Sequence, residues 1–245
     1  IHFFNPVSMM PLVEVVKADK SDADVVKKGL AFVGKISRQP LPVKSSPGFL
    51  VNRVLMPYLM EAMMLLEEGV PAHIVDKAAM KFGMPMGPVT LADTVGLDVG
   101  LAVAQNLATV YGGTVPAKLQ EMVKAGNLGK KSGQGFYEYK NGKKVSAKES
   151  GSSPISNEDI TDRLVLRMVN ESVACLREGV VDDKDLLDAG MIFGTGFAPF
   201  RGGPIHYAEA RGTDDVMKRL HDLEKQCGER FKADAGWDIL TKSPA

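Results

Sequence analysis

Arg53-Val54-Leu55-Met56-Pro57-Tyr58-Leu59-Met60-Glu61-Ala62-Met63-Met64-Leu65-Leu66-Glu67-Glu68-Gly69-Val70 is answered by a second stretch 110 residues later. That stretch runs Arg163-Leu164-Val165-Leu166-Arg167-Met168-Val169-Asn170-Glu171-Ser172-Val173-Ala174-Cys175-Leu176-Arg177-Glu178-Gly179-Val180. Glu61 falls on Glu171 and Leu66 on Leu176 at the same shift. After small insertions Ile74-Val75-Asp76 pairs with Leu186-Leu187-Asp188, Phe82-Gly83 with Phe193-Gly194, and Gly87-Pro88 with Gly203-Pro204. Chance likeness between amphipathic helices does not explain Arg, Glu and Gly matched at one offset. The expectation is a mainly α chain with one helical module present twice, each copy covering apolar faces that neither hides alone.

The punctuation around these stretches is helical. Ser46-Pro47 reads as an N-cap followed by proline at the first helical position, and Gly69 as a stop. Pro71, Pro88, Pro116 and Pro204 precede helical runs in the same manner, and Ser156 with Asp159 fits a capping box. Phe136 to Tyr139 with Asn141-Gly142 suggests a small hairpin. Residues 146–154 read as a linker. The first 45 residues differ: a strand around Val13, a helix from Asp22 to Ser37 and a Pro40/Pro42 segment suited to a sheet edge give a β-β-α-β unit. That unit is too small to close a core alone and leaves sheet edges unpaired, so these 45 residues are expected to be mobile or paired with another molecule. The division expected is 1–45, 46–150 and 151–245, with the two modules at about 46–140 and 156–245.

Bulk properties narrow the function. The 245 residues carry 30 Lys+Arg against 30 Asp+Glu, so nothing favours nucleic acid or an anionic membrane. No apolar run reaches the roughly 20 residues of a membrane span, and no leader is visible. Cys175 and Cys227, the only cysteines, are far apart, which suits a reducing, intracellular setting. His73, His206 and His221 lack metal-ligand spacing, so no metal site is read.

The chemistry gathers at the start. His2 and Glu14 fall on two adjacent extended segments, where a carboxylate could orient an imidazole as a proton acceptor. A surface His and a solvent-facing Glu would look the same in sequence. Asn52 sits among Phe49, Leu50, Val51, Val54 and Leu55, where its amide could hold a substrate carbonyl or hydroxyl or merely face solvent. Its counterpart in the repeat is Asp162, so only the first copy could carry that group. Gly194 to Pro199 has proline where a dinucleotide fingerprint wants a small residue. Gly129 to Gly135 lacks Walker spacing, and Lys130 and Lys131 read either as anion contacts or as a solvated pair. The methionines at 56, 60, 63, 64, 80, 84 and 86 read as core filler that would also suit a greasy tail.

His2-Phe3-Phe4-Asn5-Pro6-Val7, Leu12-Val13-Glu14-Val15, Pro47-Gly48-Phe49-Leu50-Val51-Asn52-Arg53, Leu91-Ala92-Asp93-Thr94-Val95-Gly96-Leu97-Asp98 and Gly129 to Tyr137 together resemble the 3-hydroxyacyl-CoA dehydrogenase family. The duplicated helical part, with Phe197 to Pro204, resembles the C-terminal part of the multifunctional fatty-acid β-oxidation enzymes (α subunit). The resemblance implies a helical C-terminal module in two copies behind a remnant of a Rossmann-type domain. It implies NAD-dependent oxidation of 3-hydroxyacyl-CoA to 3-ketoacyl-CoA, with His2 as base, Glu14 as its orienting partner and Asn52 on the substrate. Asn5 would lie by the nicotinamide and Lys131 by the cofactor. Phe193 would line the substrate site where some long-chain relatives carry Tyr. A cytoplasmic setting, an acyl-CoA substrate, an enoyl-CoA hydratase domain in the parent, and a thiolase subunit or a second copy as partner complete the implication.

The chain departs from that family by having no Gly-x-Gly-x-x-Gly loop and no ribose-binding acid after it. The 245 residues alone are therefore expected neither to turn over hydroxyacyl-CoA nor to bind NAD tightly. Two other readings stay open: another β-hydroxyacid or sugar-acid dehydrogenase working through a lysine, and a non-catalytic assembly or lens-type protein.

Overall fold

The computed structural model describes residues 1–145 and 151–241. The chain is mostly helical with a few strands. It opens with β1 (His2–Phe3), β2 (Leu12–Lys17), α1 (Ala23–Lys35) and β3 (Gln39–Lys44). There follow α2 (Val51–Glu67), α3 (Ala72–Phe82), α4 (Pro88–Val95), α5 (Leu97–Tyr111) and α6 (Ala117–Lys124). The short strands β4 (Tyr139–Lys140) and β5 (Lys143–Lys144) precede α7 (Asn157–Arg177), α8 (Lys184–Thr195), α9 (Pro204–Arg211), α10 (Thr213–Cys227) and α11 (Trp237–Thr241). Two compact units result, residues 1–54 with 168–245, and residues 55–167. The expected linker falls partly outside the described residues, which resume at Gly151.

In the first unit the sheet order is β1-β2-β3. β1 runs antiparallel to β2 with His2 opposite Glu14. β3 runs parallel to β2, and Pro40 and Pro42 face Val13 and Val15 in register. With no N–H to give at two positions, β3 is a sheet edge among the described residues. The Asp22 side chain caps α1, accepting from the Asp24 and Val25 amides at 2.8 and 3.1 Å. On α1, Val33 is buried with Val13 and Val15, and Val26 and Leu30 pack against them. Val25 and Ile36 instead face outward, at 63% and 40% exposure.

β1 and β3 remain sheet edges among the described residues, as expected, but α8 packs against the sheet from within the chain. A Cβ on Gly190 would meet Leu41 at 2.7 Å, and one on Gly194 would meet Val51 at 2.8 Å and Leu12 at 3.0 Å. Four residues apart on one face, these glycines let α8 approach β2, β3 and the start of α2. The cover comes from residues about 150 positions downstream, which no local pattern reveals.

In the second unit Met56, Ala104 and Leu107 centre a small core joined by Met60, Val103 and Val115. The hairpin between β4 and β5 turns at Asn141 and Gly142, both at positive φ (52° and 71°), as an Asn-Gly hairpin requires. Ser156 and Asp159 form the expected box at the start of α7, with the Asp159 amide donating to the Ser156 hydroxyl at 3.0 Å. Pro88 and Pro204 do open their helices, whereas Pro71 and Pro116 occupy the cap position itself.

Two sets of ion pairs stand out. Arg53 donates from Nε to Glu171 at 2.7 Å and from Nη1 to Glu178 at 2.6 Å. Arg163 donates from Nε to Glu61 at 2.7 Å and from Nη1 to Glu68 at 2.5 Å. The capping of helices repeats as well. Asp76 accepts from the amides of Val89 and Thr90 at the start of α4. Asp188 does the same for Ile205 and His206 at the start of α9.

Candidate active site

The site is assembled around Glu14. Alternation along β2 turns this residue inward, and it is fully buried. A buried carboxylate is tolerable only when its oxygens are hydrogen-bonded. His2 Nδ1 lies 2.7 Å from Oε2, and the amides of Leu50 and Val51 donate to Oε1 at 3.1 and 3.0 Å. Against an ionised Glu14, which only accepts, the neutral imidazole donates from Nδ1 and keeps Nε2 as its acceptor nitrogen. The His2 side chain is 31% exposed, so part of the imidazole reaches the surface.

The two amides are the first orphan donors of α2, and Glu14 satisfies them from 36 residues away. This corrects the sequence expectation at Ser46. Residues 46–50 form a turn in which the Phe49 amide donates to the Ser46 carbonyl at 2.9 Å, and α2 begins only at Val51. A local N-cap was expected, and a long-range carboxylate took its place because burying Glu14 demanded donors.

The turn has an unusual backbone. Gly48 has φ 77°, ordinary for glycine, but Phe49 follows at φ 47°. A bulky aromatic residue in the left-handed region costs about 1–2 kcal/mol. Each hydrogen bond to a charged group contributes about 1.5–3 kcal/mol, so two amides converging on Glu14 offset that strain. The Phe49 ring centroid lies 5.4 Å from that of His2, tilted by 55°. Phe4 meets His2 edge-on at 4.7 Å and 67°.

Of the residues proposed from sequence, His2 and Glu14 are joined directly. Asn52, half-buried, follows Val51 on the first turn of α2, and its side chain makes no hydrogen bond to the described residues. Asn5 is exposed in the loop after β1, where its peptide to Pro6 is cis. Phe193 is 43% exposed on α8, beside the Gly194 that touches Val51.

Lys131 belongs to the other unit, where it pairs with Asp98 at 2.5 and 2.7 Å. The lysine's hydrogen bond holds the Asp98 carboxyl below its usual range. Both side chains are 40% or more exposed, so the pair adds little to stability. The Gly-rich segment around it is anchored by two buried aspartates. Asp93 accepts from the amides of Phe136 and Tyr137 at 3.0 and 2.9 Å, and the Tyr137 hydroxyl donates to Asp76 at 2.8 Å. Burial raises the Asp93 carboxyl above its usual range, against the pull of those amides.

Sequence reasoning gave no role to Phe4, Phe49 or the amides of Leu50 and Val51. The only signal was the Ser-Pro-Gly turn before α2, which it read as a cap. Among the described residues no group of three or more His, Cys, Asp or Glu is placed to hold a metal.

Residues 1–46 match the profile of the 3-hydroxyacyl-CoA dehydrogenase NAD binding domain, and residues 48–139 that of the same family's C-terminal domain. A fatty acid oxidation complex subunit alpha from Shewanella sp. (strain MR-7) is 39% identical over 247 residues, covering 95% of this chain and 35% of the relative. The chain thus spans about a third of the length of the curated relatives it matches. A (S)-3-hydroxybutyryl-CoA dehydrogenase from Ralstonia eutropha is 40% identical over 57% of this chain and 51% of its own, with a TM-score of 0.54. The 3-hydroxybutyryl-CoA dehydrogenase of Escherichia coli superimposes over 98% of this chain and 69% of its own at TM-score 0.84; at 24% identity that likeness speaks for the fold alone. With both of the family's profiles matched in order along residues 1–139, and relatives along nearly its whole length, the chain belongs to the 3-hydroxyacyl-CoA dehydrogenase family.

Proposed function

We propose that this chain carries the proton-transfer half and the helical part of an NAD-dependent L-3-hydroxyacyl-CoA dehydrogenase of fatty-acid oxidation. The observation that carries the reading is the 2.7 Å bond from His2 to a fully buried Glu14. Glu14 holds the imidazole in the tautomer whose Nε2 takes the proton from the 3-hydroxyl, and it stabilises the imidazolium that forms. The Asn52 amide holds the substrate oxygen, and Phe193 lines the acyl side. When bound, NAD accepts the hydride leaving C3. The residues here suit the proton side of that exchange. No glycine-rich loop for the pyrophosphate lies among the 245 residues, and Lys131 is engaged by Asp98, so the dinucleotide cradle is assigned to a segment outside them. Asn5 then borders the nicotinamide, and Lys131 is assigned to the cofactor.

We further read the chain as 1–45, the end of the dinucleotide domain, followed by helical modules at 46–150 and 151–245. The reciprocal ion pairs support a duplication. Arg53 and Arg163, Glu61 and Glu171, and Glu68 and Glu178 each differ by 110, and each arginine binds the glutamates of the other copy through the same nitrogens. Such reciprocity is the mark of a two-fold interface. The relatives are named as subunits of a complex, which supports expecting a partner subunit; a thiolase in that place, and an enoyl-CoA hydratase domain in the parent, are part of the same proposal. Cys175 and Cys227 form no disulfide, which suits the cytoplasm.

The test joins this chain to the dinucleotide-binding segment of a solved relative and follows NADH formation from 3-hydroxybutyryl-CoA. Turnover should appear and fall by about 10²–10⁴ with His2→Gln. Turnover that survives His2→Gln would instead favour a lysine-based dehydrogenase, and none in a folded fusion would favour an assembly role.

A further inference from the structure

The geometry points to Phe49 as a positioning residue that fixes the plane of the His2 imidazole. This rests on the reading of His2 as the base. The bond to Glu14 holds Nδ1 but leaves the ring free to swing about that bond, which would sweep Nε2 across the site. Two rings oppose this motion. Phe4 is two residues from His2 on the same segment and moves with it. Phe49 comes from the turn whose next two amides bind Glu14, so its ring refers the imidazole to the helix that bears Asn52.

The backbone supplies a separate argument. At φ 47° a glycine or asparagine would be relaxed, and a bulky aromatic is not. Local preference does not account for phenylalanine here, whereas the ring's contact with His2 does. Departures from local rule of this kind are expected where a site demands them.

The experiment measures side-chain order at His2 by carbon relaxation NMR on the labelled chain, for the wild type, Phe49→Gly, Phe49→Leu and Phe4→Leu. Phe49→Gly removes the ring and suits the left-handed backbone, so the fold should survive. By nitrogen shift the proton should stay on Nδ1, directed at Glu14, while the ring order parameter falls from about 0.85 to about 0.6 or below. Phe49→Leu, which keeps bulk, should recover part of that order. In the fusion described above, kcat should fall about tenfold for Phe49→Gly with KM little changed, as for a misaligned base. An unchanged His2 order parameter in Phe49→Gly, or one lost only in Phe4→Leu, would overturn the assignment. So would a loss of order spread over the whole first unit with a lowered melting point and no rescue by leucine, which would make Phe49 merely structural. If the wild-type fusion proves inactive, the dehydrogenase reading fails, yet the NMR result still decides what holds the ring.

Discussion

Replacing Arg163 with leucine removes the guanidinium that donates to Glu61 at 2.7 Å and to Glu68 at 2.5 Å. Glu61 is 1% exposed and stays behind in an apolar setting. Taking one partner from a buried ion pair costs about 3–5 kcal/mol. The matching change, Arg53→Leu, leaves Glu171 and Glu178 at 22% and 35% exposure, where water can reach both carboxylates. Its cost should be smaller, about 1–2 kcal/mol, because solvent screens the charges that remain. The two substitutions, alike on paper, should therefore differ by about 2 kcal/mol. With a urea slope of about 2–3 kcal/mol per molar, that separates their midpoints by roughly 1 M. Urea titrations at pH 7, followed by far-UV circular dichroism, would read the difference. Adding Glu61→Gln to Arg163→Leu should recover about 1–2 kcal/mol by neutralising the stranded charge. Equal losses for the two arginines, or a larger one at Arg53, would refute the argument that burial of the acid sets the cost.

Glu14→Gln leaves one oxygen for three donors, so stability should drop by about 2 kcal/mol in urea and fused-enzyme turnover by about a hundredfold. An undiminished midpoint would show that the buried hub contributes nothing. Burial pushes the Asp188 carboxyl up to about 6 from the usual 3.8, while the amides of Ile205 and His206 pull it down. Between those values the folded chain keeps a proton that the unfolded chain has released, so this group's stabilisation is present below the window and lost as pH rises through it. Wild-type stability measured relative to Asp188→Asn should accordingly fall by about 2–3 kcal/mol from pH 4 to pH 7, and a flat difference would contradict the raised carboxyl. Gly194→Ala drives a methyl group towards Val51 and Leu12, and should lower the melting free energy by about 1–3 kcal/mol. A neutral result would mean that α8 does not bear on the strand.

What the sequence made legible was whatever neighbouring residues determine among themselves. The Ser156 box before α7 and the Asn141-Gly142 turn behaved as read, because each needs only three or four consecutive residues, while Asp22, read as part of the first turn, caps α1 from just outside it. The His2 and Glu14 pairing was also accessible, since two short strands joined by one loop leave few registers. Ser46 misled because the true cap of α2 is Glu14, chosen by the need of a buried charge rather than by the helix. The cover of the sheet by Gly190 and Gly194 escaped notice for a related reason: glycine in a helix signals close approach without naming the partner. Lys131 was read either as an anion contact or as part of a solvated pair, and its bond to Asp98, 33 residues earlier, has no signature in spacing.

The two oxygens of Glu14 face different masters, a strand-borne ring and a helix-borne turn. A shared clamp of this sort makes the geometry of the first turn of α2 and that of the imidazole a single adjustable quantity. On the proposed reading, mutational drift that tilts the helix to admit a different acyl group would drag the imidazole with it. Retuning of substrate preference would thereby be channelled towards side chains outside the clamp, of which Phe193 on α8, 43% exposed, is one candidate.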